Sequence, residues 1–447
     1  MRILQLCTFD NGGGAEKVAL ELHRAYRQLG HSVRFLVKHK RTRDPDVYEI
    51  DPYFATSPVA PIFRRLDRSI SSFRSFRGQY RLREWLRRTA WPKRWLDHWY
   101  GIEDFNYPYS WSLLKDPTWQ PDVIHAHNLH GDYFDLRALT MIGQNIPIVW
   151  TLHDTWAFTG HCGYFLKCNR WQIGCGNCVD LHRPPDLLHD NTAFNWSRKR
   201  QVYESSRFVI ACPSQWLMGY VERSILHLHD KKVIPNGVNL AIFKPTNRGD
   251  VRHKLGLPQD AFICMFAADT SRTRNPYKNF SVVSDAVHLL TTRRPQDSLL
   301  LLCVGNNDHT ETTGVDGRVR YTGFIKSEQL MAEYYQSANV VLHAANAENF
   351  PCVVLEALGC GTPVIATAVG GIPEQFIDGE SGFLVAPGDY NAMANHVALL
   401  MDRPDLLLRM SQSASQHIHS SFNIDQQALS YLQWFDELLS GYRRKSG

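Results

Sequence analysis

Strand-length apolar runs alternate with longer helix-like segments in both halves of this chain, and that alternation most narrows the folds open to it. In the first half the expected strands are Arg2 to Thr8, Ser32 to Val37, Val123 to Ala126, Ile146 to Leu152 and Phe208 to Ala211. In the second half they are Ile263 to Ala267, Leu299 to Val304, Val319 to Tyr321, Val340 to His343, Pro363 to Ala366 and Gly382 to Val385. Strands separated by helices predict parallel sheets covered on both faces. With roughly 150 residues per domain, 447 residues exceed one ordinary core, so two such α/β units are expected.

Pro235, Asn236, Gly237 and Pro245 interrupt periodicity in residues 233–245 and mark the expected hinge. The expected domains are therefore 1-238 and 239-422. In a last segment, 423-447, the apolar residues Leu429, Leu432, Phe435 and Leu438/Leu439 recur at helical spacing and are expected to pack on the first domain.

At 44% hydrophobic and 21% charged residues the chain is expected to fold throughout. Its net charge of +5 is uneven: residues 61–100 hold ten Arg and one Lys against three acids, leaving the remainder at about −3. Basic character confined to one segment argues against a nucleic-acid binder. The opening MRILQLCTF breaks too soon into Asp10, Asn11 and three glycines to read as a secretion signal, and no apolar run approaches the roughly 20 residues of a membrane span. Cys7, Cys212, Cys264, Cys303, Cys352 and Cys360 sit singly in apolar runs, as reduced core thiols would. The expected location is the cytoplasm.

The most informative string is AENFPCVVLEALGCGTPVIATAVGGIPE, residues 347–374. Asn349 is the expected cap of a helix with Pro351 in its first turn and Gly359 or Gly361 at its end. Unpaired backbone N–H groups within residues 350–353, the stretch of Phe350, Pro351, Cys352 and Val353 that follows Asn349, then face an anion such as a diphosphate. Glu356 lies about five residues on, ~7.5 Å along the axis at ~1.5 Å per residue. An ionised carboxylate only accepts hydrogen bonds, so Glu356 suits a ribose diol and Glu348 the hydroxyls of a sugar.

A glutamate pair at this spacing is common; the surrounding string is not. It resembles glycosyltransferase family 4, with its glutamate–proline–glutamate-alanine segment followed by GTPVIAT and GGIPE. The resemblance extends through DGESGFLVAPGD, residues 378–389, and covers most of the chain, least over 45–120. It implies the GT-B fold: two Rossmann-like parallel-sheet domains facing across a cleft, the first binding acceptor and the second nucleotide-sugar, with a C-terminal helix returning to the first. It further implies that Glu348 contacts the donor sugar and Glu356 the ribose.

In the family a G-R and K-G segment neutralises the leaving diphosphate. Here ADTSRTRNPYKNF supplies Lys278, while Arg272 and Arg274 compete for the arginine role because the G-R pair is missing. Gly305 and Gly323 match nucleotide-facing turns. The N-terminal Gly12–Gly14 turn resembles the family's G-G-A-E, which carries Gly13 and Gly14 to the donor and Glu16 to the acceptor side. TLHD, residues 151–154, matches the segment whose histidine sits beside the reacting sugar, so His153 is the expected catalytic histidine, with Asp154 and His127 on the acceptor side. The family precedent is retention of anomeric configuration by front-face attack, without an enzymic nucleophile or a metal. His153, Lys278, Arg272 and Glu348 would carry that chemistry.

Two segments stand apart. Cys162, Cys168, Cys175 and Cys178 form a C-x5-C-x6-C-x2-C loop that admits structural zinc, reduced thiols or disulfides. Residues 61–100 interleave the arginines with Phe63, Phe73, Phe76, Tyr80, Trp85, Trp91, Trp95, Trp99 and Tyr100; they suit an anionic membrane surface, with peripheral attachment to the inner face of the plasma membrane, a lipid-diphosphate acceptor, or packing on the first domain.

The resulting expectation is a retaining hexosyltransferase moving sugar from a UDP- or GDP-sugar to a glycan or lipid-linked glycan in extracellular or capsular polysaccharide assembly. A sugar-nucleotide epimerase or phosphorylase of the same architecture, and a non-catalytic membrane-associated scaffold, remain alternatives. A lysine-bound pyridoxal cofactor would mark the phosphorylase, and absent nucleotide binding the scaffold.

Overall fold

The computed structural model describes residues 1–50, 66, 69–70, 82, 92–268, 276–305, 312–313 and 318–446. Arg272, Arg274 and most of the basic segment, including Phe63, Phe73, Phe76, Tyr80, Trp85 and Trp91, lie outside the described residues. The chain forms two compact units: residues 1–212, 218–232 and 433–447 in the first, 213–217 and 233–432 in the second. The division differs from the expected one, since 213–217 and 233–238 belong with the second unit.

In the first unit β1 (Arg2–Phe9), β2 (Ser32–His39), β3 (Val47–Glu49), β4 (Val123–Ala126), β5 (Ile148–Thr151), β6 (Val209–Cys212) and β7 (Lys231–Val233) form a sheet in the order 3-2-1-4-5-6-7. The β1–β2, β1–β4, β2–β3, β4–β5 and β5–β6 pairs are parallel. The second sheet has β8 (Phe262–Ala267), β9 (Leu299–Val304), β10 (Thr312–Thr313), β11 (Val319–Tyr321), β12 (Val340–His343), β13 (Val364–Thr367) and β14 (Gly382–Val385) in the order 10-11-9-8-12-13-14. Only its edge pair β10–β11 is antiparallel among those described. Both sheets wind outward in two directions from their first strand, the Rossmann arrangement, which leaves a crevice at the carboxyl ends of the strands beside that strand.

Side chains alternate across a strand, so burial of both faces requires cover on both. Ile263, Met265 and Ala267 of β8 enter one core with Leu300 and Leu302, while Cys264 and Phe266 enter another with Leu301 and Cys303. The apolar runs are continuous for this reason. The strands not expected from sequence, β3, β7 and β10, have three residues or fewer and present no such run.

The terminal helix, Ile424–Ser446, contributes residues 433 onward to the first unit. Phe435 is fully buried with its ring 5.9 Å from Tyr26 and 5.5 Å from His125, and the Tyr442 hydroxyl donates to the Gly143 carbonyl at 2.8 Å. The buried stripe runs through Ala428, Tyr431, Leu432 and Phe435; Leu429, expected in it, is exposed.

Candidate active site

In the second unit, residues 277–279 pair with the segment that follows β12: Asn279 N–H donates to Ala344 O at 3.0 Å, and Asn346 N–H to Tyr277 O at 2.7 Å. This pairing sets Lys278 beside Glu348, and the two form a salt bridge with little solvent exposure. His343 Nε2 lies 3.3 Å from Lys278 Nζ. Burial first, and the neighbouring ammonium second, hold this imidazole well below its ordinary range, so it stays neutral and accepts from the lysine.

The helix after Glu348 is Cys352–Gly359, with Pro351 in extended conformation at its cap position. Asn349 therefore does not cap it. Its side chain is buried and accepts from Ser214 Oγ at 2.7 Å, and Phe350 is buried against Phe422. These two side chains hold the segment down, because an amide and a phenyl ring at the sheet edge found interior partners that no local pattern announces. Cys352 and Val353 remain partly exposed at the helix's positive end. Glu356, in the second turn, is buried and accepts from the Tyr335 hydroxyl at 3.1 Å. Gly305 N–H donates to Gly323 O at 2.9 Å, so the two expected turn glycines meet after β9 and β11.

In the first unit Gly13 caps the helix Gly14–Gln28, and the Glu16 carboxylate folds back so closely that a β-carbon on Gly13 would lie 2.3 Å from it. Gly14 borders open space. Burial raises the affinity of Glu16 for its proton, opposed by His130 and Arg41.

His130 was not singled out from sequence. Thr8 Oγ1 donates to the His130 carbonyl at 2.7 Å and Lys38 Nζ to the next carbonyl, Gly131 O, at 3.0 Å, fixing the loop after β4. The ring then meets Asp154 at 3.0 Å. Burial would lower the His130 pKa, yet Asp154 prevails and it is raised; burial would raise Asp154, yet His130 holds it down. The signal available in sequence was the spacing of three histidines in HAHNLH, with nothing to choose among them.

His127, expected to face the acceptor, is fully buried. Its Nδ1 lies 3.0 Å from His153 Nε2 with the rings stacked, and its Nε2 lies 3.4 Å from the Gln5 amide nitrogen. That amide also donates to Ala19 O at 3.1 Å, which identifies the end bearing its protons. His127 Nε2 must then accept, its Nδ1–H donates to His153 Nε2, and neutral His153 carries its proton on Nδ1. Burial lowers the His153 pKa to about 4, which keeps it neutral at pH 7.

All four thiols of the cysteine loop are free, and no group of three or more His, Cys, Asp or Glu among the described residues is arranged to hold a metal ion. The disulfide reading is not met, and the zinc reading finds no such group among the described residues. Each described thiol contact is local: Gly160 N–H donates to Cys175 Sγ at 3.2 Å, and Cys178 Sγ lies 3.4 Å from His161 Nε2. Burial pushes Cys162 up to about 11 and Cys175 to about 12, which keeps them as neutral thiols.

Two family patterns match the chain: Glycosyltransferase Family 4 over residues 12–242 and Glycosyl transferases group 1 over residues 250–417. Among curated proteins, D-inositol 3-phosphate glycosyltransferase of Streptomyces scabiei is 33% identical over 314 residues, spanning 66% of this chain and 69% of that one. The protein of that name from Arthrobacter sp. is 32% identical and spans 68% of each. Among solved structures, sucrose-phosphate synthase from Thermosynechococcus elongatus superposes with a TM-score of 0.63 at 21% identity, covering 98% of this chain and 99% of that one. Anabaena HepE in complex with UDP-glucose superposes at 0.60 with 18% identity, covering 99% and 100%. These structural likenesses concern the fold.

Proposed function

Because this chain belongs to glycosyltransferase family 4 and has the two Rossmann-like units of the GT-B class, we propose that it transfers a hexosyl group, with retention, from a UDP- or GDP-sugar to a glycan or lipid-linked glycan. Assembly of an extracellular or capsular polysaccharide is the process this serves. The single observation that carries the reading is the Lys278–Glu348 ion pair beside the positive end of helix Cys352–Gly359.

In this reading the helix end and Lys278 hold the diphosphate and stabilise the charge that grows on it as the glycosidic bond breaks. Either arginine, Arg272 or Arg274, supplies a second positive charge against it. Glu348 accepts from the sugar's hydroxyls, and Glu356, oriented by Tyr335, accepts from the ribose. Gly13 and Gly14 let backbone approach the donor, and His153 offers its Nδ1–H to a sugar hydroxyl oxygen. A donor phosphate oxygen takes the acceptor proton, so no side chain serves as covalent nucleophile.

The test is a thermal-shift screen of UDP-, GDP- and ADP-sugars on the wild type and on Glu356→Ala, followed by NMR assignment of the product anomer. Stabilisation of the wild type by one donor, reduced in the variant, supports the reading. No response to any nucleotide-sugar, or an inverted product, sinks it.

For the cellular setting we infer peripheral attachment to the inner face of the plasma membrane. The supporting observation is the exposed group Trp95, Leu96, Trp99 and Tyr100 around helix Pro92–Trp99. Co-sedimentation with anionic but not zwitterionic vesicles, weakened in Trp95→Ala with Trp99→Ala, is the expected result; no sedimentation with either overturns it.

A further inference from the structure

We infer that the first unit carries a pocket for one uncharged sugar ring of the acceptor, and that this pocket rejects phosphorylated acceptors. The inference rests on the transferase reading above and narrows it to a substrate class.

A cavity of about 260 Å³ lies within the first unit, between helix Pro92–Trp99, residues 102–107, the turn after β4 and residues 185–187. Drug-sized ligands occupy roughly 300–1,000 Å³, so this cavity has room for about one ring. Buried aromatic side chains line it: Phe105, Tyr107, Phe134 and Trp156. Sugars present C–H edges to such walls and hydroxyls to polar groups between them, and the cavity supplies both.

Glu103 is the central polar group. Its Oε1 accepts from Trp156 Nε1 at 2.7 Å and from Lys199 Nζ at 3.0 Å. Its Oε2 is buried and has no hydrogen-bond partner among the described residues. A buried acceptor without a donor is costly, and rotation of this carboxylate toward the cavity that Glu103 lines would let a ligand hydroxyl supply one. Asp132 adds a second acceptor. Its backbone is held at φ 63, a region that residues other than glycine seldom adopt, with the Tyr107 hydroxyl donating to its Oδ1 at 3.2 Å. Non-glycine strain of this sort concentrates where a side chain must be aimed.

The charge of the lining then selects. Glu103, Asp104, Asp132 and Asp186 stand against the guanidinium of Arg94, which is engaged by Asp104 at 2.7 Å and lies over the Tyr107 ring, and against the Lys38 ammonium, which lies 4.0 Å from Asp132 and is held by the Gly131 carbonyl. The Lys199 ammonium behind Glu103 is shared with the carbonyls of Trp156 and Thr159, each at 3.0 Å. His130 also lines the cavity and is paired with Asp154. A hydroxyl gains from carboxylates in such a place; a phosphate is repelled by them.

The pocket is also placed for an acceptor. His130 belongs both to the cavity and to the Glu16–His130–Asp154 cluster at the carboxyl ends of β4 and β5, where this class of sheet binds ligands.

Saturation-transfer NMR on the full chain tests this with methyl glucoside, methyl galactoside, methyl mannoside, glucose 6-phosphate and D-inositol 3-phosphate. At least one neutral glycoside is expected to bind, and both phosphates to bind at least tenfold more weakly. Glu103→Gln should weaken the glycoside at least fivefold, and Asp132→Asn with Asp186→Asn should admit glucose 6-phosphate. Because Glu103 also holds Lys199, melting curves accompany each variant, and the Asp132/Asp186 pair decides the matter if Glu103→Gln does not fold. Binding of a phosphorylated sugar to the wild type as tightly as its neutral counterpart, or of no glycoside at all, overturns the proposal. UDP and GDP are titrated into the same samples: loss of selectivity with nucleotide binding intact defeats the pocket alone, whereas absence of nucleotide binding defeats the transferase reading as well.

Discussion

Gly370 presses its α-carbon against the carbonyl oxygen of Glu348: a β-carbon there would sit 1.7 Å from that oxygen. Its φ of 61 is a left-handed value that glycine adopts without penalty. The following residue continues the contact, Gly371 N–H donating to Asn349 O at 2.7 Å. The GGIPE string thus pins the backbone that carries Glu348, the glutamate proposed to contact the sugar.

Gly370→Ala is accordingly expected to lose about 2 kcal/mol or more of stability and to bind its nucleotide-sugar at least tenfold more weakly. Gly379→Ala is the control. It has a similar φ of 79 but open space around it, so it should lose about 1–2 kcal/mol and keep donor affinity. Chemical denaturation and calorimetric titration of both variants check this; equal donor affinities would remove the role given to the contact.

Tyr335→Phe deletes the hydroxyl that donates to buried Glu356. Hydrogen bonds to charged groups contribute about 1.5–3 kcal/mol, so donor binding should weaken roughly tenfold to a hundredfold. Burial and Glu356 together push the Tyr335 phenol far above its ordinary range, so the effect should not change between pH 7 and 9.

His153 is expected to be neutral at pH 7 with its proton on Nδ1, visible in nitrogen-15 spectra as an unprotonated Nε2. His127→Phe removes the donor to that nitrogen. The prediction is a mixture of tautomers in the variant and a fall in kcat of about tenfold with little change in donor KM. A wild-type spectrum showing a protonated Nε2 would contradict the assignment drawn from Gln5 and Ala19.

The His130–Asp154 pair makes a pH prediction. Asp154, held below its ordinary 3.8, supports the fold above that value and loses this support as pH falls through its lowered pKa. His130, raised above 6.5, contributes below 6.5 and loses its contribution as pH rises through the raised pKa. The pair therefore stabilises most between 3.8 and 6.5. Asp154→Asn should cost most melting temperature in that window, and His130 should titrate below 6.5 in the variant, where burial is left as the main influence.

Much of the fold was legible because continuous apolar runs of four to six residues have one use in a chain that alternates them with helices. β4, β9, β12 and β14 coincide with their expected bounds, whereas β3, β7 and β10 are too short to build a run. Lys278 and Glu348 were legible from their strings, but their ion pair was not: the two lie 70 residues apart in sequence.

The sequence by itself determined two doubly wound units and the strings that carry the family, since period, glycine and proline placement act over a few residues and need no partner. Only the tertiary structure decided which of the site's side chains are outward-facing tools and which are interior struts. Asn349, Phe350 and His127 turned inward to Ser214, Phe422 and Gln5, while His130, one of three near-identical histidines, was drawn to Asp154. A buried hydrogen bond or ring contact selects its partner by distance in space, and distance in space between remote residues is set only when the sheets close.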